Sequence, residues 1–132
     1  MSLKGHPPEK DGILACLLAA EVVAVEGMAL GAVLERLHGE VGRLLSDRVN
    51  VPLSEGVREA LPARMARPPS ALGRWPVTRV QTTDGLKLHL EGGAWVLVRP
   101  SGTEPVARLY VEAPDAPTLE ALRAAAMRHF FA

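Results

Sequence analysis

From Leu86 to Glu91 the chain alternates strictly between apolar and polar residues. Leu86, Leu88 and Leu90 are interleaved with Lys87, His89 and Glu91. That is the period of a strand with one face buried and the other open. Asp84-Gly85 stands just before this segment and Gly92-Gly93 just after it, and both dipeptides favour tight hairpin turns. Strands are therefore expected over 77–83, 86–90 and 94–99, with a further strand over 106–113. Strands joined by such short turns must run antiparallel. Pro114 and Pro117 close the run, and Leu119, Leu122, Ala126 and Phe130 give a final helix one apolar face. Upstream, residues 45–53 alternate as a strand would, although Asp47 interrupts the apolar side. Ser54 can cap a short helix carrying Val57, Leu61 and Met65, which Pro62 is expected to kink or shorten. Residues 67–76, rich in proline, read as loop. The expected architecture is α+β: an antiparallel sheet of about four strands with two helices on one face.

Residues 1–43 follow a different pattern. Asp11 offers a carboxylate to the open amides of a helix reaching about residue 25. Ile13, Leu14, Cys16, Leu17, Leu18, Val22, Val23 and Val25 leave this helix apolar on nearly every side. A short helix of that kind belongs inside something larger, so the chain reads as beginning in the middle of a domain. Gly27 ends it. A second helix starts near Ala29, with Leu30, Val33, Leu34, Leu37, Val41 and Leu44 on one stripe. The boundary between the two regions is expected at 43/44. Cys16, the single cysteine, cannot form an internal disulfide and is expected to be a buried thiol, in keeping with a reducing cytoplasm. The opening residues have no secretory pattern. The apolar segment 13–25 falls short of the ~20 residues a membrane span needs.

Fifteen basic residues balance fifteen acidic ones, and aromatic residues make up 4% of the chain. Neither a general field nor stacking platforms for nucleic acid result, so an anion must be held by a local cluster. The best cluster is Arg99-Pro100-Ser101-Gly102-Thr103-Glu104-Pro105. Arg99 ends a strand, where a guanidinium fork can meet two phosphate oxygens. Ser101 and Thr103 bring hydroxyls, and Gly102 lets the backbone turn its amides toward an anion. Arg108, in the next strand, offers a second charge; alternation from Leu109 and Val111 puts it on the open side with Tyr110 and Glu112. The plain alternative is ordinary turn chemistry, with Arg99 paired to Glu104 or Glu104 facing water. His6 is read as loose. His38, His89 and His129 lack metal-ligand spacing and are expected on surfaces. Trp75 and Trp95 are expected to pack in core or loop.

RPSGTEP, followed by ARLYVEA, resembles the phosphate-binding loop in the last domain of the phosphoglucomutase and phosphomannomutase family, the α-D-phosphohexomutases. GHPPEKDGILACLLAAE, near the other end, is similar to a stretch of that family's third domain. The resemblance covers the chain past its first three residues. It implies a TBP-like carboxy-terminal domain over 44–132, preceded over 1–43 by helices left from the third domain. It implies an isomerase acting by intramolecular phosphoryl transfer, with a phosphoserine, a magnesium ion and a hexose 1,6-bisphosphate in the whole enzyme. Arg99, Ser101, Gly102, Thr103 and, less directly, Arg108 would hold the substrate phosphate. Lys10, with His6 beside it, would be the active-site lysine of the third domain in the whole enzyme. In this chain, one residue before a helix cap, it reads as a solvated lysine.

The departures from the family pattern carry equal weight. The chain has no serine in the phosphoserine context, no Asp-Gly-Asp metal loop and no Glu-Glu-Ser sugar motif. Without nucleophile and metal the transfer cannot proceed, so the expectation is a carboxy-terminal portion of a mutase, inactive by itself, whose partners are the hexose phosphate and the remaining mutase domains. The rival from another class is a free-standing binding module for a phosphorylated metabolite. Helix 13–25 discriminates between them, because a free-standing protein must cover it, whereas a portion of an enzyme leaves it bare or buries it in a dimer. A nucleic-acid module is the third class, testable by DNA binding at low salt. No membrane partner is expected.

Overall fold

A computed structural model describes residues 4–5 and 11–132, so Lys10 and His6 lie outside the described residues. The chain divides into two compact units, one ending at Arg43 and the other running from Leu44 to Ala132.

The first unit holds α1 (Gly12–Glu26) and α2 (Leu30–Val41). Asp11 caps α1 as expected, its Oδ1 accepting from the Leu14 amide at 3.0 Å. Gly27 ends the helix in the left-handed region (φ +64), its amide returning to the Val23 carbonyl. Two expectations fail here. Cys16 is exposed, because α1 is apolar all round and no residue of α1 or α2 is buried. Leu44, placed on the α2 stripe by its spacing, lies beyond the helix end at Val41. Among the described residues, no single helix is long and apolar enough to cross a membrane.

The second unit contains β1 (Leu45–Pro52), α3 (Glu55–Ala66), β2 (Ala71–Leu72), β3 (Trp75–Gln81), β4 (Leu86–Leu90), β5 (Trp95–Pro100), β6 (Val106–Ala113) and α4 (Ala116–Phe131). The α+β class is as expected. The sheet, however, has six strands, not about four, in the order β1-β6-β5-β4-β3-β2, and every neighbouring pair is antiparallel. The short β2 arises inside the expected loop because Leu72 is drawn into the core. Its pairing with Trp75 starts β3 earlier than 77, and β3 ends at Gln81, short of residue 83. Helix α3 runs through Pro62 for another turn. Proline there removes one hydrogen bond, but Leu61 beside it is fully buried and holds the helix on the sheet.

One apolar core joins the layers. Leu86, Leu88, Leu90, Val96, Val98, Ala107, Leu109, Val111 and Ala113 from the sheet meet Leu61 of α3 and Leu122, Ala125, Ala126 and Phe130 of α4. Both helices therefore cover the same face. Asp47, the residue that interrupted the apolar side of β1, sits at the rim of this face and accepts from Arg123 Nη1 of α4 at 3.0 Å. The Arg64 guanidinium of α3 donates to the Phe130 carbonyl at 3.0 Å, fastening the end of α4.

Candidate functional site

The loop between β5 and β6 is closed at its base. The Ser101 amide donates to the Val106 carbonyl at 2.8 Å, and the Val106 amide to the Glu104 carbonyl at 2.8 Å. The Leu53 amide, in the β1–α3 connection, donates to the Pro105 carbonyl at 2.9 Å. The start of α3 is thereby tied to the loop. Within it the Thr103 amide approaches the Ser101 hydroxyl at 3.5 Å, at the limit of a hydrogen bond. The amides of Gly102 and Glu104 have no partner among the described residues.

A cavity of about 490 Å3 opens between this loop and α3. It is lined by Leu53, Arg58, Leu61, Pro62 and residues 100–105. Ser101, Gly102 and Thr103 thus share one recess, with hydroxyls and unpaired amides at hand. Arg99 and Arg108 are not part of its wall. They are register partners on β5 and β6 and stand on the face of the sheet away from the helices, as the alternation with buried Val98, Ala107 and Leu109 requires. Like charges directly opposite one another are unfavourable, and here each has a carboxylate close by. Arg99 Nε is 3.0 Å from Asp84 Oδ1, and Arg108 Nη2 is 3.9 Å from Glu104 Oε2. Of the alternatives raised for Glu104, pairing with Arg99 does not describe it: Arg99 pairs with Asp84, and Glu104 lies near Arg108. The β4–β5 register sets Leu86 against Val98, which brings the hairpin turn at Asp84 beside Arg99, while Glu104 reaches across the loop to Arg108. A Cβ on Gly85, whose φ is +96, would collide with the Val98 carbonyl oxygen, so this turn packs directly on the strand that carries Arg99.

The open face also carries polar and aromatic side chains. Trp95 Nε1 donates to Glu112 Oε1 at 2.7 Å, and Lys87 Nζ lies 3.6 Å over the Trp95 ring. Trp95 therefore lies on the face opposite the core, whereas Trp75 packs against the core under Arg74. His89 departs from the surface expectation. It is half-buried, and its Nε2 has no hydrogen-bond partner. Burial first, then the charges of Lys87 and Arg79, lower its pKa below the ordinary histidine value. Among the described residues no three His, Cys, Asp or Glu side chains converge on a metal position, so these residues do not fit the magnesium ion that the resemblance implies. Arg58 was not foreseen from the sequence. The only signal for it was its spacing, since residues 58, 61 and 62 fall on one face of a helix.

Comparison with known proteins places the chain in a family. Residues 48–129 match the family model described as phosphoglucomutase/phosphomannomutase, C-terminal domain. A probable phosphoglucosamine mutase of Methanothermobacter thermautotrophicus is 37% identical over 102 residues, covering 77% of this chain and 21% of that protein. A phosphoglucomutase/phosphomannomutase of Thermococcus kodakarensis is 32% identical over 104 residues, 79% of this chain and 21% of the relative. A phosphoglucosamine mutase of Moorella thermoacetica is 33% identical over 124 residues, 93% of this chain and 24% of the relative. The chain spans about a fifth to a quarter of the length of these relatives. With the family model covering more than half of its residues, the chain belongs to the phosphoglucomutase/phosphomannomutase family, to which it contributes a carboxy-terminal domain.

Proposed function

We propose that this chain is the carboxy-terminal part of a phosphohexomutase, and that its loop 99–105 holds the phosphate of a hexose phosphate while the phosphoryl group is moved within the sugar. The observation that carries this reading is the loop itself. Residues with two hydroxyls and two unpartnered amides line one recess beside the sheet, and two arginines, Arg99 and Arg108, face each other on the strands that lead into and out of the loop. Amides and hydroxyls fixed by a closed loop need no reorganisation when a dianion arrives. Arg99 and Arg108 add charge, with their present carboxylate partners exchanged in part for phosphate oxygens. Positioning is all that this domain supplies. The nucleophile and metal of the transfer belong to other domains, so the chain alone is inactive. The bare apolar sides of α1 fit a surface that the rest of such an enzyme covers, and this favours the reading over a free-standing binding module.

The test is an amide-resolved NMR titration of the full chain with glucose 1-phosphate, with glucose as the control ligand. A clamp working without its partner domains should bind at roughly millimolar Kd. Shifts confined to Ser101, Gly102, Thr103 and their neighbours, absent with glucose and lost in Arg99→Ala, are expected. A loop that stays silent well above that concentration sinks the reading.

A further inference from the structure

We infer that Arg58 is a phosphate ligand of this domain, reaching the bound group from the helix side of the loop. The inference rests on the phosphate-binding reading of loop 99–105 and names the cation that completes it. Arg58 lies in the first half of α3, one turn before Pro62 and three residues before the buried Leu61. All three line the cavity whose opposite wall is residues 100–105. Its position is fixed twice over. Leu61 anchors α3 in the core, and the Leu53 amide bonds the Pro105 carbonyl, which ties the entry of the helix to the end of the loop.

What sets Arg58 apart is its lack of a partner. Arg99 and Arg108 are each engaged by a carboxylate at 3.0 and 3.9 Å. The Arg58 side chain makes no ion pair or hydrogen bond among the described residues. No acidic residue other than Glu104, which faces Arg108, lines the cavity with it. A guanidinium is always charged, and its donors suit the oxygens of a phosphate monoester. With the open amides of Gly102 and Glu104 and the hydroxyls of Ser101 and Thr103, it makes a two-walled recess whose free donors all favour an anion. On this geometry the phosphate oxygens that face α3 are met by Arg58, and those that face the loop by the amides and hydroxyls of residues 101–104.

The experiment titrates glucose 1-phosphate, and separately inorganic phosphate, into the wild-type chain, Arg58→Gln, Arg58→Lys and Arg99→Gln, reading amide shifts at residues 101–104. Arg58 is exposed on the helix, so a glutamine there leaves the fold intact, and unchanged amide positions in β4 and α4 verify this. Arg58→Gln is expected to raise Kd by roughly five- to tenfold for both ligands. Arg58→Lys, which keeps the charge and loses the fork, should recover part of that loss. If Arg58→Gln binds like wild type while Arg99→Gln is weakened, the loop reading stands and the role given to Arg58 is wrong. If the wild-type loop responds to neither ligand, both fall together.

Discussion

Helix α1 and the strands β4 to β6 draw on the same apolar residues, leucine and valine above all, yet they meet opposite fates. Leu88, Val96, Val98 and Leu109 are completely buried, while Ile13 is 76% and Val25 78% exposed. The difference lies in arrangement. In the strands, buried apolar residues take every second position, so one face can close on α3 and α4 while the other stays open. In α1 the apolar residues surround the helix, and α2, with a single stripe, leaves most of them uncovered. Hydrophobic content alone does not make a core; a core needs apolar residues gathered on a side that another element can cover.

The largest effect that could break this contrast is a truncation in each unit. Phe130 is wholly buried between α4 and the sheet, and Phe130→Ala is expected to cost about 3–5 kcal/mol. Leu17, 63% exposed on α1, should change stability by less than about 0.5 kcal/mol on replacement by alanine. Urea unfolding separates the two readouts. Both tryptophans lie in the second unit, so their fluorescence reports on it alone, while far-UV circular dichroism also reports on α1 and α2. A Leu17→Ala cost as large as that at Phe130 would show α1 to be buried against a second copy. In that case the unfolding midpoint would depend on protein concentration.

Next in size come the turn glycines. Gly27 and Gly85 both have positive φ, +64 and +96. A Cβ on Gly27 meets open space, so Gly27→Ala carries only the left-handed penalty of roughly 1 kcal/mol. At Gly85 the added atom also strikes the Val98 carbonyl, and the expected cost rises to roughly 2–3 kcal/mol. Differential scanning calorimetry gives the ranking directly. Gly85→Ala should additionally weaken the phosphate response of loop 101–104, because the displaced backbone carries Arg99. Equal costs at the two glycines would mean that the hairpin turn can move away from β5 without loss.

Features set by local chemistry were legible before the structure. The Asp11 and Gly27 caps, the strand from Val106 to Ala113 and the outward side of Arg108 all followed from spacing and residue type. Features decided by distant residues were not. Nothing near Asp47 shows why a carboxylate interrupts an apolar face, since its partner Arg123 lies 76 positions away. Leu72 looked like part of a proline-rich loop, and only burial against α4 and the sheet makes it a strand. For the site, the loop residues were readable as donors, but proximity in sequence offered only Glu104 as a partner for Arg99 and could not decide it. Strand register, not sequence distance, brings Asp84 to it. Arg58 could not be placed for the same reason: only the packing of α3 brings it to the cavity that the loop lines.

The smallest effect concerns the second face of the sheet, and whether it is as open as α1. His89 stands there opposite Trp95 in the strand register, half-buried and with lowered proton affinity. An unfolded histidine takes up a proton near pH 6.5, whereas folded His89 does so only at lower pH. Between those two values the unfolded chain binds more protons. Its contribution to stability is therefore complete above about pH 6.5 and is lost as the pH falls toward the depressed value. Thermal unfolding followed by tryptophan fluorescence at about pH 7.5 and about pH 5.5 should show a lower Tm in acid, and His89→Gln should reduce that difference. An unchanged difference in His89→Gln would place the acid sensitivity elsewhere and leave His89 as solvated as the side chains of α1. A reduced one would mean that the open face of the second unit is partly closed by its own Lys87, Trp95 and Glu112, a protection the first unit does not give its apolar surface.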